Sequence, residues 1–203
     1  AAGNPSTGWL ELSGKKYYLE ADGHMITGWK TLDGGWRYFD ASGEQATGWR
    51  AVDGSWYFMA DNGLMQTGWL ETGGKKYYLN ASGAMQAGWQ NLSGSWYYFD
   101  GSGAMTTGWQ AVGGKWYYMN ESGVMQTGWL DLGGKKYYLD ASGAMYAGTT
   151  FVMDGNTWQA AADGSCTVVL PEENVAENGG STAGQTPTTG SQSPAQPSGP
   201  AGV

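Results

Sequence analysis

The chain has little of what a soluble enzyme uses. Its 203 residues include one cysteine, Cys166, and one histidine, His24. A single cysteine excludes an internal disulfide framework. A single histidine, with no cluster of His, Cys and carboxylates at ligand spacing, leaves neither a nucleophile-base pair nor a metal site. The carboxylates fall mostly at turns, where Asp bonds its own backbone, and in other repeats Asn, Ser or Ala takes their place. No catalytic residue, cofactor or metal is therefore expected. Basic residues are few: 10 Lys and Arg face 18 Asp and Glu, a net charge of -8, which argues against nucleic acid as a partner. No apolar run reaches the roughly 18 residues a membrane helix needs, so no membrane insertion is expected. The opening Ala1-Ala2-Gly3-Asn4 lacks the charged-then-apolar pattern of a signal peptide. Leu, Ile and Val are too scarce for an ordinary aliphatic core.

What the chain has instead is glycine, 36 residues, and aromatic rings, with 12 Trp and 13 Tyr. Gly at that density, without a three-residue period, excludes collagen and disfavours long helices. The rings repeat. Gly-Trp recurs at Trp9, Trp29, Trp49, Trp69, Trp89, Trp109 and Trp129, always twenty positions apart. Each pair is followed by a second cluster, such as Lys16-Tyr17-Tyr18, Trp36-Arg37-Tyr38, Trp56-Tyr57-Phe58 or Trp116-Tyr117-Tyr118. A fixed period of this kind marks a solenoid. Between the two clusters lie Asp33-Gly34, Asp53-Gly54 or Ser93-Gly94. Asp-Gly between β-formers predicts a tight hairpin, because Gly accepts the positive φ the turn requires. Each unit is thus one β-hairpin, which gains stability only by stacking on its neighbours.

A longer period overlies the first. The residue closing each aromatic strand reads Leu19, Phe39, Met59, then Leu79, Phe99, Met119, then Leu139. Lys replaces Trp at Lys16, Lys76 and Lys136, again sixty apart. Residues sixty apart share an environment, so the expected fold is an all-β solenoid of stacked β-hairpins in a superhelix with about three hairpins per turn. The organisation predicted is a lead-in over 1–6, seven repeats over 7–148, a degenerate capping hairpin and strand over 149–171, and a disordered Gly/Ser/Pro/Thr-rich tail or linker over 172–203.

The rings have two candidate uses. They can be core material throughout, or some can line surface pockets. Lysine is almost never fully buried without a partner. A slot that accepts Lys16, Lys76 and Lys136 is therefore open to solvent, and Trp36, Trp56, Trp96 and Trp116 in the same slot are exposed on one side. Repeated exposed Trp marks binding. The residues at 19, 39, 59 and their equivalents never turn polar and are assigned to the core. Several rings around a small space suit a quaternary ammonium, held by cation–π attraction at about 0.5–2 kcal/mol per contact. Ring platforms also stack on sugars.

The pattern Gly-Trp, Gly-x-Trp-Tyr-Tyr, Gly-x-Met, Thr-Gly-Trp, complete from Gly108-Trp109 to Gly128-Trp129, resembles the choline-binding (cell-wall-binding) repeat family. That resemblance implies stacked hairpins that anchor surface proteins or lytic enzymes to phosphocholine-bearing (lipo)teichoic acid, outside the cell. It implies cages of Trp29 with Trp36, Trp49 with Trp56, Trp89 with Trp96, and Trp109 with Trp116, with Met65, Met105 and Met125 at methionine positions. Tyr57, Tyr77, Tyr117 and Tyr137 are the expected third walls. Hairpins one, four and seven carry Lys, so no cage is expected there; their ammonium groups are predicted to fold over Trp9, Trp69 and Trp129. Gln45 in place of Met is expected to weaken the site of hairpin two, and Arg37 to fall where no cage needs it. Glucan-binding and clostridial toxin receptor-binding repeats are similar, which keeps glucan as an alternative ligand. A surface spacer with vestigial sites is a third reading. Any catalytic activity would belong to a domain elsewhere in a longer parent chain.

Overall fold

The computed structural model describes residues 7–170, so the expected lead-in over 1–6 and tail over 172–203 lie outside the described residues. The described chain is all-β and divides between Thr106 and Thr107 into two compact units. In the first unit β1 (Gly8–Leu12) pairs with β2 (Lys15–Leu19), β3 (Gly28–Leu32) with β4 (Gly35–Phe39), β5 (Gly48–Val52) with β6 (Ser55–Met59), β7 (Gly68–Thr72) with β8 (Lys75–Leu79), and β9 (Gly88–Leu92) with β10 (Ser95–Phe99). These are hairpins one to five. The second unit holds β11 (Gly108–Val112) with β12 (Lys115–Met119) and β13 (Gly128–Leu132) with β14 (Lys135–Leu139), hairpins six and seven. It closes with β15 (Thr149–Met153), β16 (Asn156–Ala160) and the short β17 (Cys166–Val168), which joins the seventh and eighth hairpins in the order β13-β14-β17-β16-β15.

Each hairpin turns on two residues with positive φ. Asp33 and Gly34 stand at 53° and 81°, and Ser93 and Gly94 at 54° and 87°. This is the turn whose twist matches that of the strands, and Asp or Ser followed by Gly admits it at least cost. A second turn follows each aromatic strand and is locked by its own side chain. The Asp100 carboxylate accepts the Ser102 hydroxyl at 2.6 Å and the backbone N–H groups of Ser102 and Ala104. Those bonds, the Ser102 hydroxyl foremost, hold the carboxyl below its ordinary range.

Beyond that turn the chain runs back along the aromatic strand, bridging Phe39 to Gln45, Met59 to Met65 and Leu79 to Met85. The same stretch ties each hairpin to the one before. Gln45 N–H donates to the Lys16 carbonyl at 2.7 Å; Met65, Met85 and Met105 donate likewise to Trp36, Trp56 and Lys76 at 2.8 Å. In the second unit Met145 donates to Trp116. Stacking is therefore a backbone bond repeated every twenty residues and spanning twenty-nine.

Six of the seven residues that the sequence assigned to the core are buried, and Leu19, in the first hairpin, is only half-buried. Phe39, Met59, Leu79 and Phe99 in the first unit, and Met119 and Leu139 in the second, are fully buried. Alongside runs a second ladder, in which a loop side chain lies over the glycine of the next loop. A Cβ on Gly83 would fall 2.3 Å from Met65 Sδ, and Gly83 has φ of 82°. Gly83→Ala thus combines a left-handed backbone, costing about 1–2 kcal/mol, with a steric clash. The expected result is a thermal midpoint lower by several degrees. Gly101→Ala, where no atom lies within 4 Å and no positive φ is required, should leave it unchanged. Equal midpoints for the two variants would overturn this account of the ladder.

Candidate ligand-binding site

The strand alternation that buries Phe39 sends Trp36 outward. Trp36, Trp56 and Trp96 are 50%, 48% and 43% exposed, while Trp116 is half-buried. In hairpin two, Trp29 on β3 and Trp36 on β4 stand with ring centroids 6.4 Å apart and planes at 86°. Tyr57, from the next hairpin, meets Trp29 at 4.8 Å and 70°. The three rings, with Met65, Ala81 and Ser82, enclose a cavity of about 340 Å³ that opens to solvent. No charged group lines it, so its field is that of the ring faces.

Hairpin three repeats the wall, Trp49 meeting Tyr77 at 4.9 Å and 66°. Trp89 and Trp96 in hairpin five repeat the right angle at 6.4 Å and 84°. Tyr117 belongs to the second unit. There Trp109 meets a buried Tyr137 at 5.0 Å and 65°.

The methionines sit one station away from the positions the sequence suggested. Met65 lines the Trp29 cavity, and its N–H donates to the Trp36 carbonyl. Met105 bonds the Lys76 strand, not the Trp89 pair, and Met125 lies against Gly143. By the same bond Met85 accompanies Trp56 and Met145 accompanies Trp116, two residues the sequence reading missed. The cause is the stacking bond, which brings in the loop that follows the next hairpin. Nothing inside one twenty-residue unit signals that offset. It also corrects Gln45, which belongs to the first hairpin's site and leaves the Trp29 site with its methionine.

The lysine hairpins differ from expectation as well. Trp9, Trp69 and Trp129 are 40%, 47% and 37% exposed, whereas Trp29, Trp49, Trp89 and Trp109 are half-buried. Lys136 does not fold over Trp129: its ammonium is 3.1 Å from Asp131, across the strand pair. Trp158 of the eighth hairpin covers Trp129 instead, at 4.4 Å and 54°. The cation over Trp9 is not Lys16 but Arg37, 5.0 Å from the ring centroid. Trp69 keeps its third wall, Tyr97, at 5.0 Å.

His24 pairs with Asp22 at 3.0 Å on an open turn. Cys166 is buried and points at the Gly164 carbonyl; burial pushes its thiol above the usual range, away from a reactive thiolate. Among the described residues no group of His, Cys and carboxylates could hold a metal, and no helix is long and apolar enough to cross a membrane.

The sequence matches the choline-binding repeat over residues 6–47, 46–87 and 106–151, and a cell wall binding repeat over 87–105. The chain belongs to the choline-binding repeat family. Choline-binding protein F of Streptococcus pneumoniae, solved in the presence of a peptidoglycan analogue, is 39% identical, with a TM-score of 0.73 over 80% of this chain and 58% of its own. CbpJ from S. pneumoniae TIGR4 is 38% identical, with a TM-score of 0.72 over the same shares. The modular autolysin LytC of S. pneumoniae, in complex with a synthetic peptidoglycan ligand, is 31% identical, with a TM-score of 0.59 over 74% of this chain and 35% of its own. The chain thus spans less than three fifths of the length of each of these three structures. None of the curated proteins matches it. Its fold is the hairpin solenoid of choline-binding repeat proteins. Choline-binding repeats bind and do not catalyse.

Proposed function

We propose that this module anchors a secreted or surface protein by gripping choline groups on a cell-wall polymer, (lipo)teichoic acid or its phosphocholine units. The observation that carries the reading is the Trp29, Trp36, Tyr57 and Met65 cavity: three ring faces at steep angles, a sulfur, and no hydrogen-bonding charge. A trimethylammonium head offers no hydrogen-bond donor, so a site walled mainly by rings and lined by no charged side chain does not penalise it. The ring quadrupoles attract its spread charge, by about 0.5–2 kcal/mol per contact. Trp49, Trp56, Tyr77 and Met85 form the equivalent station of hairpin three, and Trp109, Trp116, Tyr137 and Met145 that of hairpin six. Trp89 and Trp96 supply the walls of hairpin five. Each station is weak alone; an array holds a polymer by avidity. Chemistry on the wall, where the parent protein performs any, belongs to another part of that protein.

A choline titration followed by calorimetry and tryptophan fluorescence tests this, with glucan oligosaccharide as the control. The expected result is saturable binding at about four equivalents in the millimolar range, as two or three such contacts allow. Silence towards choline with a response to glucan would transfer the stations to a sugar ligand.

A further inference from the structure

We propose that the first station carries its own ligand: the Arg37 guanidinium occupies the place choline takes elsewhere and clamps the first three hairpins without any bound molecule. The inference rests on the cage reading for what it calls a ligand position, and on Arg37 alone for the clamp.

Station by station, one residue set recurs: the Gly-Trp ring, the residue seven positions on, the residue twenty-eight on, and the residue thirty-six on. In hairpin two these are Trp29, Trp36, Tyr57 and Met65. In hairpin one they are Trp9, Lys16, Arg37 and Gln45, which line a single cavity with Asp33 and Asn62. Three of the four have changed together, and the new residues serve one another. Arg37 is 7% exposed and lies 5.0 Å over Trp9. Its Nη1 donates to the Asn62 carbonyl, its Nε to the Leu32 carbonyl at 3.4 Å, and its Nη2 faces Asp33 Oδ2 at 3.5 Å. Gln45 Nε2 donates to the same Asn62 carbonyl at 3.3 Å, and Trp9 Nε1 donates to the same Asp33 oxygen at 3.1 Å. A buried cation is tolerated only when paired and hydrogen-bonded, and each of the three Arg37 nitrogens has a partner.

The connections span the first unit's opening. Arg37 is on hairpin two, Trp9 on hairpin one, and Asn62 in the turn that follows hairpin three. A choline in the Trp29 station would link Trp29, Tyr57 and Ser82 across the same number of hairpins. Arg37 makes that link permanent. The first hairpin, which has no preceding neighbour among the described residues to stack on, is thereby held in place before any polymer arrives, and the station cannot admit a second cation.

Amide hydrogen exchange on the whole chain tests the clamp. The Gln45 amide, bonded to Lys16, should be equally protected with and without saturating choline, whereas the Met65 and Met85 amides, bonded to Trp36 and Trp56, should gain protection when choline is added. Arg37→Ala should cost the Gln45 amide about tenfold in protection, the size of effect that local opening shows. Choline-dependent protection of Gln45 in the parent, or no change in Arg37→Ala, would overturn the proposal. If Met65 and Met85 ignore choline while Gln45 still responds to Arg37→Ala, the cage reading fails and the clamp stands. A second variant, Lys16→Trp with Arg37→Tyr and Gln45→Met, restores the residue set of hairpin two. It should bind one more choline equivalent than the parent; an unchanged count in a folded variant would refute Arg37 as the occupant of a choline position.

Discussion

Phe99→Ala is expected to destabilise the first unit by about 3–5 kcal/mol, the range for emptying a buried phenylalanine site. Phe99 has no exposed surface, packs against the Trp69 ring at 5.8 Å, pairs with Gly88 across the hairpin and bridges to Met105 beyond the turn. Three of the chain's levels of structure meet at that ring. A loss of this size is comparable with the whole stability of many domains, 5–15 kcal/mol. In a repeat array stability is the sum of units and nearest-neighbour interfaces, so damage at one hairpin is not shared evenly. The unfolding curve, read by the near-ultraviolet signal of the tryptophans, should separate into two transitions, the earlier one carrying hairpins four and five. Val152→Ala, at a position 69% exposed, should leave the curve in place. A single unshifted transition for Phe99→Ala would mean that the row of buried Leu, Phe and Met residues does not sustain the stack.

Trp29→Ala and Lys76→Trp should move choline stoichiometry in opposite directions by one equivalent each. Trp29 touches both other walls of its cavity, at 6.4 Å and 4.8 Å, so its removal leaves Trp36 and Tyr57 without a common face to close on. Hairpin four presents the converse. Trp69 is exposed, Tyr97 stands 5.0 Å away and Met105 bonds the Lys76 carbonyl, so only the second tryptophan is wanting. Lys76 is cross-strand to Glu71, and both residues are exposed to solvent. On a choline-bearing surface the loss of one station should weaken retention by about tenfold, an even share of the avidity that linked sites provide. Calorimetry counts the sites and elution from a choline matrix reads the avidity. A count unchanged in both variants would place the ligand elsewhere on the chain.

Much of this molecule is written in windows of twenty residues, because the forces concerned act over that range. Asp33-Gly34 and Ser93-Gly94 specify the hairpin turn through the φ values they tolerate, and these are seen at both residues. The steady apolar character at Phe39, Met59, Leu79 and Phe99 marks a row that has no exposed surface. The exchange of Trp for Lys at 16, 76 and 136 revealed a slot open to solvent, since an ammonium tolerates nothing else, and all three lysines are exposed. The third ring beside Trp29, Trp49 and Trp109 was legible from a single substitution pattern around Arg37.

Tertiary structure decided the rest. Met65 rather than Gln45 serves Trp29, Trp158 covers Trp129, and Arg37, which the sequence left without a task, fills the first cage. The methionine and Arg37 placements depend on the bond between a loop amide and a carbonyl twenty-nine residues earlier, and that of Trp158 on the strand β17 joining the seventh and eighth hairpins. A backbone bond of this kind leaves no trace in residue type, since every amide but proline's can donate it. Turn chemistry and side-chain size are properties of one repeat and can be read from it. The partner that a side chain meets is a property of the stack, and appears only once the hairpins are set one upon another.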